Sequence, residues 1–183
     1  MANICVTDIM IEGELTTLNK IKDATDKLLR KRKATNPYVW IGDILGELGI
    51  KCSETDPQSS GFVTEEPTLG TTEDGTHNLH IIEEGKYCPS NFMAFIMKAF
   101  GTRIYFDSQC FDYLDWNTND EKGKYFEDRF SIVDGLNGVS YFKSRPEMMK
   151  YLKKNHNITT LKEVSEREDI LYMKCNVLKT YKD

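Results

Sequence analysis

Residues 90–133 read SNFMAFIMKAF-GTRIYFD-SQC-FDYLDW-NTNDEKG-KYFEDRFSIV, and the succession of patterns in this stretch decides the fold class. Ser90 follows Pro89 and precedes a dense apolar run, so it is expected to be the N-cap of a helix over 90–100. Phe92, Met93, Phe95, Ile96, Met97, Ala99 and Phe100 leave only Lys98 clearly polar, a pattern that predicts burial on more than one side. Gly101 supplies the left-handed stop. Period-two alternation follows at once over 102–107, with Ile104 and Phe106 on one face and Arg103, Tyr105 and Asp107 on the other. A second strand is expected over 111–116, polar turn chemistry over 117–123, and a third strand over 125–133. A helix feeding antiparallel strands is an α+β layer, its sheet covered by helices on one face.

Outward from this block, 3–11 alternates as a strand with Cys5, Thr7, Ile9 and Ile11 sharing a face. Leu15, Leu18, Ile21, Leu28 and Leu29 recur at helical spacing, and the helix ends in Arg30-Lys-Arg-Lys33, which complements its dipole. Asn36–Pro37 opens a short second helix with Ile41, Ile44, Leu45 and Leu48 as its buried stripe. Residues 51–75 lose periodicity and are expected to be a long mobile loop, pinned at most by Phe62–Val63. A strand over 76–83 turns Leu79 and Ile81 inward. Beyond 133, the sequence predicts a short strand at 139–142, a helix opened by Ser144 and Pro146 that carries Met149, Tyr151 and Leu152, another short helix started at Thr160, and a final strand over 170–177.

The chain has 183 residues and a formal charge of −5. Its length predicts one domain over 1–183, with 139–183 packing on the same body. The excess of acid lies in residues 51–135 and the excess of base in 136–183. A duplex-binding surface wants the opposite sign at the centre, so nucleic acid is disfavoured as a partner. Five scattered cysteines show no paired spacing, which predicts a reducing, cytoplasmic setting without a disulfide framework. No apolar run approaches a membrane span.

Candidate chemistry is thin. The chain carries no glycine-rich phosphate loop, no paired-histidine zinc motif and no nucleophile elbow. Asp115, Asn117 and Asn119 match the first alternating ligands of a calcium loop, but the sixth position holds Asp120 and the twelfth Phe126 where glycine and glutamate belong. A turn held by Asx-type bonds explains the same residues. Asp112, Asp115, Asp120, Glu121, Glu127 and Asp128 would need to converge in a cleft to form an acid–base pair. No cofactor is expected. Arg103, Tyr105, Tyr113, Trp116 and Tyr125, spread over consecutive strands, are the candidate interaction surface, for a protein partner or for the chain's own C-terminal segment. The sequence leaves oligomeric state open.

Two segments resemble a known family. Met1-Ala-Asn3-Ile4-Cys5-Val6-Thr7 through Ile11-Glu12-Gly13 is similar to the Asn-Trp-Cys-x-Asn opening of the YubB ferredoxin-like family, with Ile4 in place of the Trp and Thr7 in place of the second Asn. Phe100-Gly101 through Phe106, and Thr118 through Phe130, look like that family's strand–hairpin–strand block. The resemblance implies a ferredoxin-like α+β sheet without an iron–sulfur cluster, and a setting on mobile genetic elements. It supplies no catalytic residues. The expected function is therefore a non-enzymatic interaction or accessory protein, the alternative being a metal-dependent enzyme or metal-binding protein using acids around 112–128.

Overall fold

The computed structural model describes residues 4–32, 38–51, 61–63, 65–135 and 138–178. The chain is mixed α and β, its strand pairing almost wholly antiparallel. Where the sequence suggests a single body over 1–183, the structure divides into two compact units, residues 1–110 and 111–183.

The first unit holds β1 (Cys5–Glu12), α1 (Leu15–Lys31), β2 (Val39–Trp40), α2 (Ile41–Glu47), β3 (Phe62–Val63), β4 (Thr68–Thr71), β5 (His77–Gly85), α3 (Ser90–Phe100) and β6 (Arg103–Cys110). Its strands run β6-β1-β5-β3-β2, with β4 also pairing β5, and every pairing is antiparallel. In register, Ile9 lies between Ile81 and Phe106, and Ile11 between Leu79 and Ile104. These residues form one core with Leu18, Ile21 and Leu29 of α1, Ile41, Ile44 and Leu45 of α2, and Phe92, Met93 and Ile96 of α3. Each such aliphatic side chain, fully buried, contributes about 1.5–3 kcal/mol.

Three local expectations need correction. Ser90 is the first helical residue of α3, whose N-cap is Pro89 without a side-chain bond. The same helix buries a single face: Phe92, Met93 and Ile96 point inward, while Ala94, Met97, Lys98 and Ala99 are exposed. The expected loop over 51–75 contributes strands β3 and β4 to the sheet, so its second half is not structureless; residues 52–60 and 64 lie outside the described ones. Two further expectations hold here. Gly101 closes α3 at φ 65°, its N–H bonding the Met97 carbonyl at 2.8 Å, and Phe62–Val63 does pin its segment to β5.

The second unit holds a 3₁₀ turn (Phe111–Tyr113), β7 (Asp115–Thr118), β8 (Phe130–Asp134), β9 (Gly138–Phe142), α4 (Arg145–His156), α5 (Leu161–Ser165), β10 (Ile170–Lys174) and β11 (Asn176–Val177). The strand expected over 111–116 is broken because Leu114 takes φ 50° after the 3₁₀ turn. The strand expected from 125 begins at Phe130. A three-stranded antiparallel sheet β10-β8-β9 carries a core of Ile132, Met148, Leu152, Ile158, Val164 and Ile170. β11 pairs β7 in parallel. α4 starts with a full capping box between Ser144 and Glu147 and stops at Asn157, φ 56°.

Candidate functional sites

The alternating set Asp115, Asn117 and Asn119 lies on and just after β7. Asp115 is exposed, and Asn117 accepts from the Asn176 amide of β11 at 3.4 Å. The turn that follows is organised by Asp120, which is 1% exposed. Its carboxylate accepts backbone N–H bonds from Lys124 at 2.9 Å, Tyr125 at 2.7 Å and Phe126 at 3.0 Å. Arg129 completes the turn, its guanidinium donating to the carbonyls of Asp120 at 2.6 Å, Asp128 at 2.8 Å and Phe126. The residue standing where a calcium loop needs glycine is thus the one that satisfies the turn's own amides. Asp112, Glu121 and Glu127 are exposed, and Glu127 pairs with Lys143. Among the described residues, no three histidine, cysteine, aspartate or glutamate side chains gather as a metal site.

The expected aromatic platform is divided. Arg103 and Tyr105 belong to the first unit, Arg103 exposed and Tyr105 half-buried. In the second unit Tyr113 is 59% exposed and Tyr125 half-buried, but Trp116 is 1% exposed. The indole packs with Met173, Cys175 and Phe111, edge-on to Tyr141 with ring centroids 5.8 Å apart. It is interior packing and not a stacking surface.

Sequence reasoning missed two features. The first is a buried polar row at one end of the first unit's sheet. Thr7 of β1 lies between Glu83 of β5 and Ser108 of β6, and the Thr7 and Ser108 hydroxyls are 3.0 Å apart. Glu83 is fully buried and neither carboxyl oxygen has a hydrogen-bond partner. Burial pushes its pKa up to about 8, an effect that the nearby Thr7 hydroxyl only partly offsets and the Glu84 charge reinforces. At neutral pH the group is mainly the uncharged acid. Cys88 borders the row: burial and the Glu83 charge push its thiol up to about 12 despite the Ser108 hydroxyl. Such a thiol is inert as a nucleophile. Two residues along the strands from Thr7 and Ser108, Cys5 and Cys110 are joined by a disulfide across β1 and β6, Cα atoms 4.2 Å apart. This corrects the expectation of unpaired cysteines; the two strand ends bring together residues 105 apart in sequence. The signal for Glu83 was its parity with Leu79 and Ile81, which puts an acid on the inward face.

The second feature is an open groove of about 600 Å³ in the second unit, between the end of β9 and one side of α4. Tyr141, Phe142 and Lys143 line one wall; Glu147, Lys150, Tyr151 and Lys154 line the other. The residues at 147, 150, 151 and 154 share a helix face by their i, i+3, i+4 spacing. The Phe142 and Tyr151 rings pack with centroids 5.2 Å apart and make an aromatic floor. Asp128 closes one end; burial raises its pKa, the Arg129 charge opposes this and Glu147 adds to it. Lys150 and Lys154 form no ion pair among the described residues.

The three histidines differ in burial and partners. His80 meets Asp8 at 2.7 Å on the half-buried sheet face, and His77 meets the Thr71 hydroxyl at 3.1 Å. His156 is not a surface group: its side chain is 11% exposed, with Nε2 3.1 Å from the Asp134 carboxylate.

Among the described residues no helix is long and apolar enough to cross a membrane. No family model, curated protein or solved structure matches this chain.

Proposed function

We propose that the protein is a non-enzymatic interaction protein, an accessory factor of a mobile genetic element, with a ferredoxin-like first unit. The fold part of this reading is supported by topology. In chain order β1, α1, β3, β5, α3, β6 follow a βαββαβ plan, and β6-β1-β5-β3 is the strand order that a split βαβ arrangement produces. β2, α2 and β4 are additions to that plan. The mobile-element setting is supported by the similarity of residues 1–13 and 100–130 to the YubB family, of which residues 1–3 lie outside the described ones.

The observation that carries the binding reading is the β9–α4 groove, an open concavity with an aromatic floor and lysines on its wall. Aromatic side chains flanked by a charged rim are the pattern that protein interfaces enrich. The buried Glu83 row, by contrast, holds a neutral acid beside an inert thiol and suits a structural role.

Photo-crosslinking tests the reading. A benzophenone amino acid replacing Tyr151 in the groove is compared in native lysate with the same group replacing Lys20 on exposed α1. A discrete adduct at Tyr151 alone is expected. Equal labelling at both positions, or none at Tyr151, removes the reading. A micromolar affinity for Ca²⁺, Mg²⁺ or Mn²⁺, lost on Asp115→Ala, establishes the metal-dependent alternative in its place.

A further inference from the structure

We infer that Tyr38, Trp40 and Phe62, with the Glu84 carboxylate beside them, form an open aromatic cage that receives a trimethylated lysine side chain of a partner polypeptide. The site lies wholly in the first unit and does not depend on the β9–α4 groove, so either can fail without the other.

Strand register assembles the cage. Trp40 of β2 pairs with Phe62 of β3, and Phe62 pairs with Glu84 of β5. The neighbouring row is Val39, Val63 and Glu83, all three buried, so alternation turns Trp40, Phe62 and Glu84 to the opposite face. Tyr38 has the parity of Trp40, and its ring centroid lies 4.4 Å from that of Phe62 with the planes inclined by 55°. The Trp40 and Phe62 centroids are 6.2 Å apart at 87°. The core does not use Tyr38 and Trp40: Val39 and Val63 fill it from these strands, while Tyr38 is 47% and Trp40 45% exposed. Aromatic surface gathered in this way, unlike a single exposed side chain, marks a binding surface.

Charge and ring geometry select the occupant. Inclined rings leave uncovered the faces that parallel stacking would hide, and the face of an aromatic ring is its negative pole. A cation is attracted to a ring centroid within about 6 Å, and the spacing of these centroids puts one cation in reach of more than one ring. Glu84 adds a full negative charge to the row. It is half-buried and makes no ion pair or side-chain hydrogen bond among the described residues. Lys86, two residues on, lies instead over the Tyr87 ring, 5.3 Å from its centroid. A trimethylammonium group matches the site because its charge is spread over methyls that pack on aromatic carbon and it has no N–H to satisfy; an unmethylated ammonium holds its water. A nucleobase also stacks on such rings, but Glu84 repels the phosphate that comes with it. The carrier is a polypeptide. The cage is open and stands at β2, the outermost strand, where a free small cation stays largely hydrated and a chain adds contacts on either side of its modified lysine.

The test is a titration of the ¹⁵N-labelled full chain, followed at the Trp40 indole N–H, with a short glycine–serine peptide carrying one central trimethyllysine. Two companion peptides differ only there: one has unmodified lysine, the other the neutral isostere with tert-butyl in place of trimethylammonium. Free choline is the fourth ligand. Sub-millimolar binding of the trimethyllysine peptide is expected, at least about fivefold tighter than the isostere and about tenfold tighter than the lysine peptide or choline. Glu84→Gln should weaken it about threefold and Trp40→Ala at least about tenfold, with Trp40→Phe between Trp40→Ala and the wild type. The ligand comparisons use the wild-type chain alone, so a poorly folded variant does not decide the outcome. Absence of binding, or equal binding of the lysine peptide or the isostere, overturns the inference. Choline binding as tightly as the peptide overturns the polypeptide carrier. Tighter binding of a single-stranded oligonucleotide overturns the cationic ligand. A Trp40 signal that shifts with protein concentration in the absence of peptide assigns the patch to a second copy of the chain and overturns the inference as well.

Discussion

Glu83 lies so close to Gly61 that a Cβ on the glycine would fall 1.2 Å from the carboxyl Oε1. A Cβ on Gly85 would fall 2.3 Å from the same oxygen. The two glycines face each other where β3 meets β5, and their missing side chains make the room the buried acid occupies. Gly61→Ala is expected to cost about 1–3 kcal/mol by overpacking, since the buried carboxyl must shift to admit the new methyl. Glu83→Ala should relieve most of that cost. Urea unfolding of the two single variants and the double variant gives the coupling, expected to exceed about 1 kcal/mol. Additive costs would show that the glycine is constrained by something other than Glu83.

The buried carboxyl also makes stability depend on pH. Its folded value of about 8 lies above the ordinary 4.5, so the fold holds the protonated form. Below about 4.5 both states are protonated and stability is undiminished. As pH rises through the interval to about 8, the unfolded chain ionises first and stability falls, by roughly 1 kcal/mol per pH unit; above the interval the fall ends. Glu47, Glu163 and Asp169, whose values are lowered by hydrogen bonds, act below the ordinary carboxylate value and do not overlap this window. Glu83→Gln should flatten the pH 5–8 slope in urea titrations. A wild-type slope retained in the variant would assign the effect elsewhere.

How far the sequence reaches can be read from these same strands. Alternation in β1, β5 and β6 made their inward faces legible, because a buried core enforces period two over eight residues or more. β2 and β3 are two residues long, too short for any period; β3 is held by pairing with β5 and β2 by pairing with β3, not by their own pattern. Glu83 sat at the inward parity in plain view, but an acid there looks like a break in the pattern until Gly61, distant in sequence, is seen to enclose it together with Gly85. Register is set by tertiary pairing, so nothing local announces that Cys5 faces Cys110, or that Trp116 points into the second unit's interior. The β9–α4 groove was invisible for the same reason: a strand's place at a sheet edge is a property of its neighbours.

The Cys5–Cys110 bridge and the Cys88 thiol give opposite chemical expectations. Intact mass under non-reducing conditions should be about 2 Da below the fully reduced mass, with the difference mapped to the peptide pair containing Cys5 and Cys110. Closing a loop between residues 105 apart stabilises by up to about 5 kcal/mol on chain-entropy grounds. Cys5→Ser/Cys110→Ser should therefore lower the unfolding midpoint clearly, by an amount that reducing agent reproduces in the wild type. Cys88, burial having pushed its thiol to about 12, should resist iodoacetamide at pH 8 in the folded protein and react on unfolding. Rapid alkylation of Cys88 in the native state would show that the row it borders is open to solvent.

The turn after β7 gives the sharpest test of Asp120. Its carboxylate satisfies three backbone amides, from Lys124, Tyr125 and Phe126, and its own N–H donates to the Thr118 hydroxyl at 3.1 Å. Removing the carboxylate leaves those donors to find water or remain unpaired, at about 1–3 kcal/mol for a buried group. Asp120→Ala should cost about 2–4 kcal/mol and abolish slow amide exchange at 124–126. Asp120→Asn, which keeps one acceptor oxygen, should fall between the variant and the wild type. Arg129→Met strips the same turn of its carbonyl partners at Asp120, Phe126 and Asp128. It should lose exchange protection over the same residues, and less than additively with Asp120→Ala, because both side chains hold one loop. If instead Asp115→Ala raised exchange at 124–126 as much as Asp120→Ala does, the turn would be organised from the exposed calcium-like set and the assignment to Asp120 would be wrong.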